Sequence, residues 1–150
     1  MYEPFFQWLI HSVMRLFLFS NRKKMKKVSF DFDATLSRKD VQSYARSLIA
    51  KGFDVWICTS RLEPEKAPTK EWNDDLFLVA DDLGIKRENI IFCNYETKAV
   101  LLKDKGFVFH IDDDNIELSF IRTDTDIKPI FLFGNKKWFV DCDNAIQNIA

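Results

Sequence analysis

Short apolar runs alternate with helix-like periodic segments along the chain from residue 28 onward. Continuous apolar runs are typical of strands buried on both faces, and they predict strands at 28–32, 55–58, 90–93, 107–111 and 129–133. Apolar positions spaced three and four residues apart predict helices over 41–49, 72–83, 98–105 and 115–121. Glycines follow three of these helices as stop signals, namely Gly52, Gly84 and Gly106.

This alternation predicts an α/β fold, a three-layer α/β/α Rossmann-like parallel sheet of about five strands. Right-handed crossovers place the carboxyl ends of all the strands along one edge, where ligands bind in such sheets. The segment 61–70 contains Pro64 and Pro68 and is predicted to be a loop. After Gly134 we expect a small extra strand at 137–140 and a last helical turn at 144–149.

The N-terminal part of the chain has a different pattern. Residues 4–20 are mostly apolar but carry Gln7, His11 and Arg15, which form a polar stripe on a predicted helix. Three interpretations remain open: a membrane-surface helix, a helix packed on the domain or on a second copy of the chain, and an upstream extension before a natural start at Met25. We therefore divide the chain into an N-terminal helical extension, 1–24, and one α/β domain, 25–150.

Composition narrows the class of protein. A chain of 150 residues with 47% hydrophobic content is suited to one domain with a full core. The net charge of −1 gives no bulk electrostatic argument for nucleic-acid binding. The cysteines are Cys58, Cys93 and Cys142, an odd number without C-x-x-C spacing. This pattern argues against a disulfide framework or a zinc site and favours a reducing, cytoplasmic location.

Two aspartates close the first predicted strand. Side chains alternate between the faces of a strand, so Asp31 and Asp33 are expected to point the same way. Two carboxylates on one face repel each other and are costly without a cation. A hard divalent metal with oxygen ligands relieves this repulsion, and Mg²⁺ is the expected ion.

The other predicted strands also end in polar residues of the kinds that a phosphate site uses. They are Thr59, Ser60 and Arg61 after the second strand, Asn94 and then Lys98 after the third, and Asp112, Asp113 and Asp114 after the fourth. We expect them to meet at one edge of the sheet. Asp114 is predicted to cap a helix, and His110 to be a hydrogen-bonded core residue.

These residues resemble the four motifs of the haloacid dehalogenase superfamily of phosphohydrolases. The segment D-F-D-A-T-L at 31–36 is similar to the first motif, D-x-D-x-T-L, and 55–59 looks like the second, an apolar strand ending in Thr or Ser. Lys98 suits the third motif, a lysine before or within a helix, and 109–113 is similar to the fourth, an apolar strand ending in paired acids. The resemblance covers about residues 28–121.

The resemblance implies a role for each of these residues. Asp31 is the expected nucleophile, which forms an aspartyl-phosphate, and Asp33 the expected general acid and base. Mg²⁺ is expected on the Asp31 carboxylate, the Asp33 backbone carbonyl and Asp112, with Asp113 binding through water or orienting the site.

Residues after the second and third strands are expected to bind the phosphoryl group. Thr59 would hydrogen-bond it, with Ser60 as the rival for this role and the other of the two as a helix cap. Lys98 would balance its charge, with Lys103 as a rival, and Arg61 would contact the substrate.

No cap domain is expected, because only 22 residues separate Leu36 from Thr59 and one helix uses most of them. The resemblance is therefore to small capless members, and it implies an Mg²⁺-dependent phosphatase with an open site. Its substrate is expected to be a nucleotide, a nucleic-acid end or another bulky phosphoester. The alternative is a non-catalytic module recruited to a membrane or partner through residues 4–20, which also offer a surface for homo-oligomer contact.

Overall fold

A computed structural model of the protein describes residues 24–149, which contain a five-stranded, all-parallel sheet. The strands are β1 (Lys27–Phe30), β2 (Asp54–Thr59), β3 (Ile90–Phe92), β4 (Phe107–Asp112) and β5 (Lys128–Phe131). Their order across the sheet is β3-β2-β1-β4-β5, so β1 lies at the centre. The predicted three-layer, Rossmann-like α/β fold is confirmed.

Helices cover both faces of the sheet. They are α1 (Lys39–Ala50), α2 (Asp74–Leu83), α3 (Lys98–Leu102), α4 (Asn115–Asp124) and α5 (Trp138–Gln147), with a 3₁₀ turn at Arg87–Asn89. Apolar side chains of α1, α2 and α5 form one hydrophobic cluster with the sheet, and those of α3 and α4 form a second cluster. The central strand is buried on both faces, which explains why its sequence is almost continuously apolar.

A β-bulge in β4 decides which side chains of this strand face α3 and α4. The register against β1 shifts, because Lys27 pairs with Phe107 while Ser29 pairs with His110. Phe107 belongs to the cluster of α3 and α4, whereas Phe109 belongs to the opposite cluster, although a regular strand would place both on one face. The extra residue therefore turns His110 towards Ser29, and Asp112 towards Lys98 at the start of α3.

Three features differ from the prediction. The first strand ends at Phe30 and not at residue 32, because the chain enters a tight turn directly after Asp31. Trp72 lies before α2 and outside its buried face, since this helix begins only at Asp74. The segment 137–140 is not a strand but the start of α5, whose buried positions recur at helical spacing in Trp138 and Cys142.

The predicted N-terminal extension, 1–24, lies almost wholly outside the described residues, and so do its membrane-surface and oligomer interpretations. Between residues 24 and 149, no helix has the length and apolar character needed to span a membrane. The three cysteines are unpaired and buried, although the Sγ atoms of Cys58 and Cys93 lie 3.5 Å apart.

Helix α5 is an integral part of the core, and this can be tested with two residues of the same helix. Trp138 is 7% exposed and stacks edge-on against Tyr44, with 5.2 Å between the ring centroids. Trp138→Ala should lower the free energy of unfolding by about 3–5 kcal/mol, measured by urea denaturation. Val140→Ala, on the more exposed side of α5, should change it by less than about 0.5 kcal/mol. Equal effects of the two changes would contradict the packing.

Candidate functional site

The candidate site lies where the chain direction across the sheet reverses. From the carboxyl end of β1 the chain leads through α1 to β2 on one side, and from the end of β4 it leads through α4 to β5 on the other. The two loops diverge and leave a crevice, which is the usual ligand position in open parallel sheets. Asp31 directly follows β1, and Asp112 is the last residue of β4.

A tight turn after β1 separates the two aspartates of the first motif. The Asp31 N–H donates to the Ile111 carbonyl at 2.9 Å, and the Leu36 N–H donates back to the Asp31 carbonyl at 3.1 Å. Ala34 has a φ of 54°, a left-handed conformation that is uncommon without glycine. The expectation that both side chains share one strand face is therefore wrong: Asp31 is buried, and the Asp33 side chain is 60% exposed.

Lys98 forms a buried ion cluster with two carboxylates. Its Nζ lies 2.7 Å from Oδ1 of Asp31 and 2.6 Å from Oδ2 of Asp112, and none of the three side chains is more than 6% exposed. One ammonium thus neutralises two carboxylates only in part, so the cluster retains negative charge. Lys103, the predicted rival, is exposed at the end of α3.

The pKa values in this cluster diverge. Burial raises the pKa of Asp31 from 3.8 to about 7, against the opposing attraction of Lys98. Burial also acts against ionisation of Asp112, but hydrogen bonds from His110 and Lys98 hold the pKa of that carboxyl well below its ordinary value. The two carboxylates outweigh burial at Lys98 and keep its pKa above the usual range. Asp112 and Lys98 are therefore charged at neutral pH, and Asp31 titrates near it.

His110 supports Asp112 from within the core, as the predicted hydrogen-bonded core histidine. Its Nε2 lies 3.1 Å from Oδ2 of Asp112, and its Nδ1 lies 2.9 Å from Oγ of Ser29. Burial lowers the pKa of His110, so the ring is neutral and Nε2 carries the hydrogen that is donated to the carboxylate. The Asp114 N–H donates to the other oxygen of Asp112 at 3.0 Å, which fixes the carboxylate plane.

Glu117 holds the start of α3 and was not predicted as a site residue. Its Oε2 accepts the backbone N–H of Lys98 at 3.0 Å, across 19 residues of sequence. Asp114 caps the same helix, α4, by accepting from the Ile116 N–H at 2.8 Å, which confirms the predicted cap. No local pattern marks Glu117, because its partner is brought to it only by the packing of α3 on α4.

Three carboxylates could hold a metal ion. One oxygen each of Asp31, Asp112 and Asp113 lies within 4.8 Å of the others, and Asp113 is half-buried. Burial and the neighbouring Asp112 raise the pKa of Asp113, against a weaker opposing effect of Lys98. An all-oxygen donor set fits a hard cation such as Mg²⁺. The Asp33 carboxylate lies outside this group.

Arg61 is committed to protein partners. Its guanidinium donates to both oxygens of Asp33 at 2.9 and 2.7 Å, to both oxygens of Asp75 at 2.6 and 2.9 Å, and to the Trp72 carbonyl at 3.1 Å. These bonds use all five of its N–H groups, and the group lies 4.9 Å above the Phe32 ring centroid. Arg61 therefore orients Asp33, and Asp75 is a partner that the sequence did not indicate.

Thr59 and Ser60 differ in their surroundings. Thr59 is fully buried at the end of β2, and its hydroxyl accepts the Arg61 N–H at 3.3 Å. Ser60 is partly exposed and does not cap a helix, because α2 begins only after a loop over 60–73. That part of the prediction is wrong; the phosphoryl-binding roles of Thr59, Ser60 and Lys98 remain predictions.

Comparison with known proteins gives no match: no family model, no curated protein and no solved structure matches the chain.

The ion cluster should depend on Lys98 and not on Lys103. Lys98→Met leaves two buried carboxylates without their counter-charge and should lower the free energy of unfolding by about 3–5 kcal/mol. Lys103→Met removes an exposed charge from the same region and should change it by less than about 0.5 kcal/mol. Urea denaturation of both variants in the presence of EDTA measures the difference, and similar losses would show that the cluster is not held by Lys98.

Asp31 should make stability depend on pH in a predictable direction. Its folded-state pKa of about 7 is above the ordinary value of 3.8, so the folded chain holds this proton more tightly than the unfolded chain. Its contribution to stability is therefore lost as pH rises from about 4 to 7. In EDTA, Asp31→Asn should match the wild type near pH 4 and be more stable above pH 7, by at most about 4 kcal/mol. A pH-independent difference would contradict the shift.

Proposed function

We propose that the protein is an Mg²⁺-dependent phosphatase of the haloacid dehalogenase type, which hydrolyses a phosphate monoester through an aspartyl-phosphate. The observation that carries this proposal is the separation of the two motif aspartates. Asp31 is buried against Lys98 and near Asp112 and Asp113, while the Asp33 side chain is 60% exposed. This difference in burial and access supports the assignment of Asp31 as the nucleophile and of Asp33 as the group that exchanges protons with the leaving group.

In the first step an oxygen of Asp31 attacks phosphorus, and the bond to the leaving oxygen breaks. Attack requires the ionised carboxylate, and an anionic substrate would oppose it. The Lys98 ammonium lies 2.7 Å from Asp31 and favours the ionised form while offsetting the charge of the phosphoryl group. The departing alkoxide takes a proton from Asp33.

In the second step water attacks the aspartyl-phosphate, Asp33 accepts its proton, and inorganic phosphate leaves while the Asp31 carboxylate is restored. In the described arrangement both oxygens of Asp33 accept from Arg61. One of these hydrogen bonds must open before Asp33 can carry a proton. Asp75 gives the guanidinium a second carboxylate on which to remain when that happens.

Asp31, Asp112 and Asp113 would hold the metal, and the predicted contribution of the Asp33 carbonyl is consistent with its place in the turn. Bound Mg²⁺ would neutralise phosphoryl charge as a Lewis acid. It would also compensate the negative charge that Lys98 leaves in the cluster and so favour loss of the Asp31 proton.

An open site is part of the proposal. The segment between the turn after β1 and the start of β2 contains only α1. The segment between β2 and the 3₁₀ turn before β3 contains only the 60–73 loop and α2. No folded cap stands over the crevice within residues 24–149. We therefore propose substrates with a sizeable leaving group, and the three unpaired cysteines favour a cytoplasmic setting.

Hydrolysis of p-nitrophenyl phosphate tests the proposal. The wild type should release p-nitrophenol with Mg²⁺ and not with EDTA. Asp31→Asn should abolish turnover because the nucleophile is lost, and Asp33→Asn should lower kcat by roughly 10²–10⁴-fold. Asp126→Asn replaces an exposed acid outside the site and should retain wild-type activity. Far-UV circular dichroism of each variant controls for folding.

Covalent labelling distinguishes the mechanism from simple metal-assisted hydrolysis. Acid-quenched wild type should carry an alkali-labile phosphoryl group on Asp31, which mass spectrometry locates. Hydrolysis that survives Asp31→Asn would reject Asp31 as the nucleophile. Absence of both hydrolysis and Mg²⁺ binding in the wild type would reject the enzyme and favour the non-catalytic alternative.

A further inference from the structure

A cavity of about 390 Å³ adjoins Asp33, and none of the three carboxylates that could hold a metal lines it. It is lined by Asp33, Ser60, Arg61, Trp72 and Tyr95. Its volume is within the range of roughly 300–1,000 Å³ that small-molecule sites occupy. Of its lining residues, only Asp33 belongs to the pair that the proposed reaction uses.

We assign this cavity to the leaving group of the substrate. The assignment rests on the proposed function, in which Asp33 is the proton donor. The leaving oxygen must therefore come within hydrogen-bonding distance of the Asp33 carboxylate. Whatever is attached to that oxygen then extends past Asp33. The metal-binding carboxylates and Lys98 lie on the phosphoryl side, which leaves the cavity beside Asp33 for the rest of the substrate.

Trp72 and Tyr95 contribute aromatic side chains to this cavity, and backbone hydrogen bonds fix the position of both residues. The Trp72 carbonyl accepts from Arg61, and the Tyr95 N–H donates to the Ser60 carbonyl at 3.0 Å. Their side chains are nevertheless 39% and 69% exposed, an unfavourable state for large apolar rings in water. The two rings are therefore anchored next to the site without being buried by the protein.

Tyr95 also has a strained backbone. Its φ is 66°, and that of the preceding Asn94 is 51°, so two successive residues other than glycine adopt the left-handed conformation. The Asn94 N–H donates to the Arg61 carbonyl, and its side-chain oxygen accepts from the Glu63 N–H at 2.9 Å. These hydrogen bonds keep both residues in the left-handed conformation. Strain maintained at an exposed aromatic residue is typical of a binding position.

We propose that Trp72 and Tyr95 stack on a nucleobase, and that the substrate is a nucleoside monophosphate, either free or at the end of a short oligonucleotide. Aromatic side chains bind bases through their π-faces without a demand for one sequence. Ser60 lines the same cavity and is partly exposed, so its hydroxyl is accessible to a sugar hydroxyl. The Arg61 guanidinium also lines the cavity, but its side-chain N–H groups donate to Asp33, Asp75 and the Trp72 carbonyl, so its charge is paired with two carboxylates rather than offered to a second phosphate.

The charge of the domain favours a small substrate over a long nucleic acid. Residues 25–150 contain 18 basic and 22 acidic residues, a net charge of −4. A long polyanion is attracted by basic surface that this domain does not have in excess.

A matched pair of substrates isolates the base. Adenosine 5′-monophosphate and ribose 5-phosphate share the phosphate and the sugar and differ by the base alone. For the wild type with Mg²⁺, kcat/KM should be roughly 5- to 150-fold higher for the nucleotide, the range expected for one base stacked on an aromatic side chain. Tyr95→Ala and Trp72→Ala should each lower this ratio towards one, while Tyr95→Phe and Trp72→Phe should largely retain it. Phe139→Ala, an exposed aromatic residue on α5, should leave the ratio unchanged.

Calorimetric binding to Asp31→Asn separates this inference from the proposed function, because it requires no turnover. If no phosphate ester is hydrolysed but the nucleotide binds at least fivefold more tightly than ribose 5-phosphate, and Tyr95→Ala removes that preference, the base site stands and the phosphatase proposal fails. Equal binding of the two ligands overturns the base site, even if hydrolysis occurs.

Two further substrates identify the source of the base. Faster hydrolysis of a pentanucleotide with a 5′- or 3′-terminal phosphate than of the mononucleotide assigns the cavity to nucleic-acid ends, and the reverse assigns it to free nucleotides. A phosphotyrosine peptide that is a better substrate than either, with the same dependence on Tyr95, would overturn the nucleoside assignment.

Discussion

The ammonium of Lys98 between Asp31 and Asp112 is the interaction on which the rest of the site depends. It joins the end of β1 to two consecutive later elements, α3 and β4, at the point where the sheet order reverses; Lys98 lies 67 residues from Asp31 in the sequence. Because the charges are buried, each depends on the others for its solvation. The arrangement is not optimal for the folded state alone, since one ammonium faces more than one carboxylate and the pKa of Asp31 rises to about 7. The fold thus loses some stability by burying Asp31 without full compensation of its charge. In return it keeps a carboxylate whose ionised form a bound cation would favour.

The turn after β1 gives two identical side chains different chemistry. Had the strand continued, Asp31 and Asp33 would have shared one face and one environment. The chain instead turns through Ala34, so that Asp31 meets Lys98 in the interior and Asp33 meets Arg61 at the surface. A buried carboxylate with a single ammonium partner and an exposed one held by a guanidinium differ in solvation, in access and in freedom to exchange protons. The proposed roles of nucleophile and general acid require such a difference between the two aspartates.

Much of the fold could be predicted because the three inner strands are largely buried on both faces and each helix is buried on one face, which imposes separate periods on the sequence. The positions of Asp31, Lys98 and Asp112 at one edge followed from the parallel order alone. Other features depend on contacts between distant segments. The bulge of β4 is visible only in its pairing with β1, and Glu117 and Asp75 have hydrogen-bond partners in the candidate site that are 19 and 14 residues away in sequence. The segment 137–140 is predicted as a strand because a short apolar run does not show helical spacing. The spacing becomes visible only when the buried Cys142, four residues after Trp138, is included.

Within residues 24–149 no folded cap covers the candidate site, so the proposed substrate side consists of short loops, and their rigidity matters more than their size. The β3–α3 loop is bound to the loop after β2 by the backbone bonds of Asn94 and Tyr95, and the segment before α2 is bound to it through Arg61. The β3–α3 loop and the distal part of the 60–73 loop are thus both fixed on two consecutive residues, Ser60 and Arg61, which directly follow the buried end of β2. A rigid surface of this kind lowers the entropic cost of holding a ligand, but it contacts only the part of the substrate next to the phosphate. Discrimination by such a site is therefore expected to depend on one nearby planar group and to be weak towards anything attached farther away.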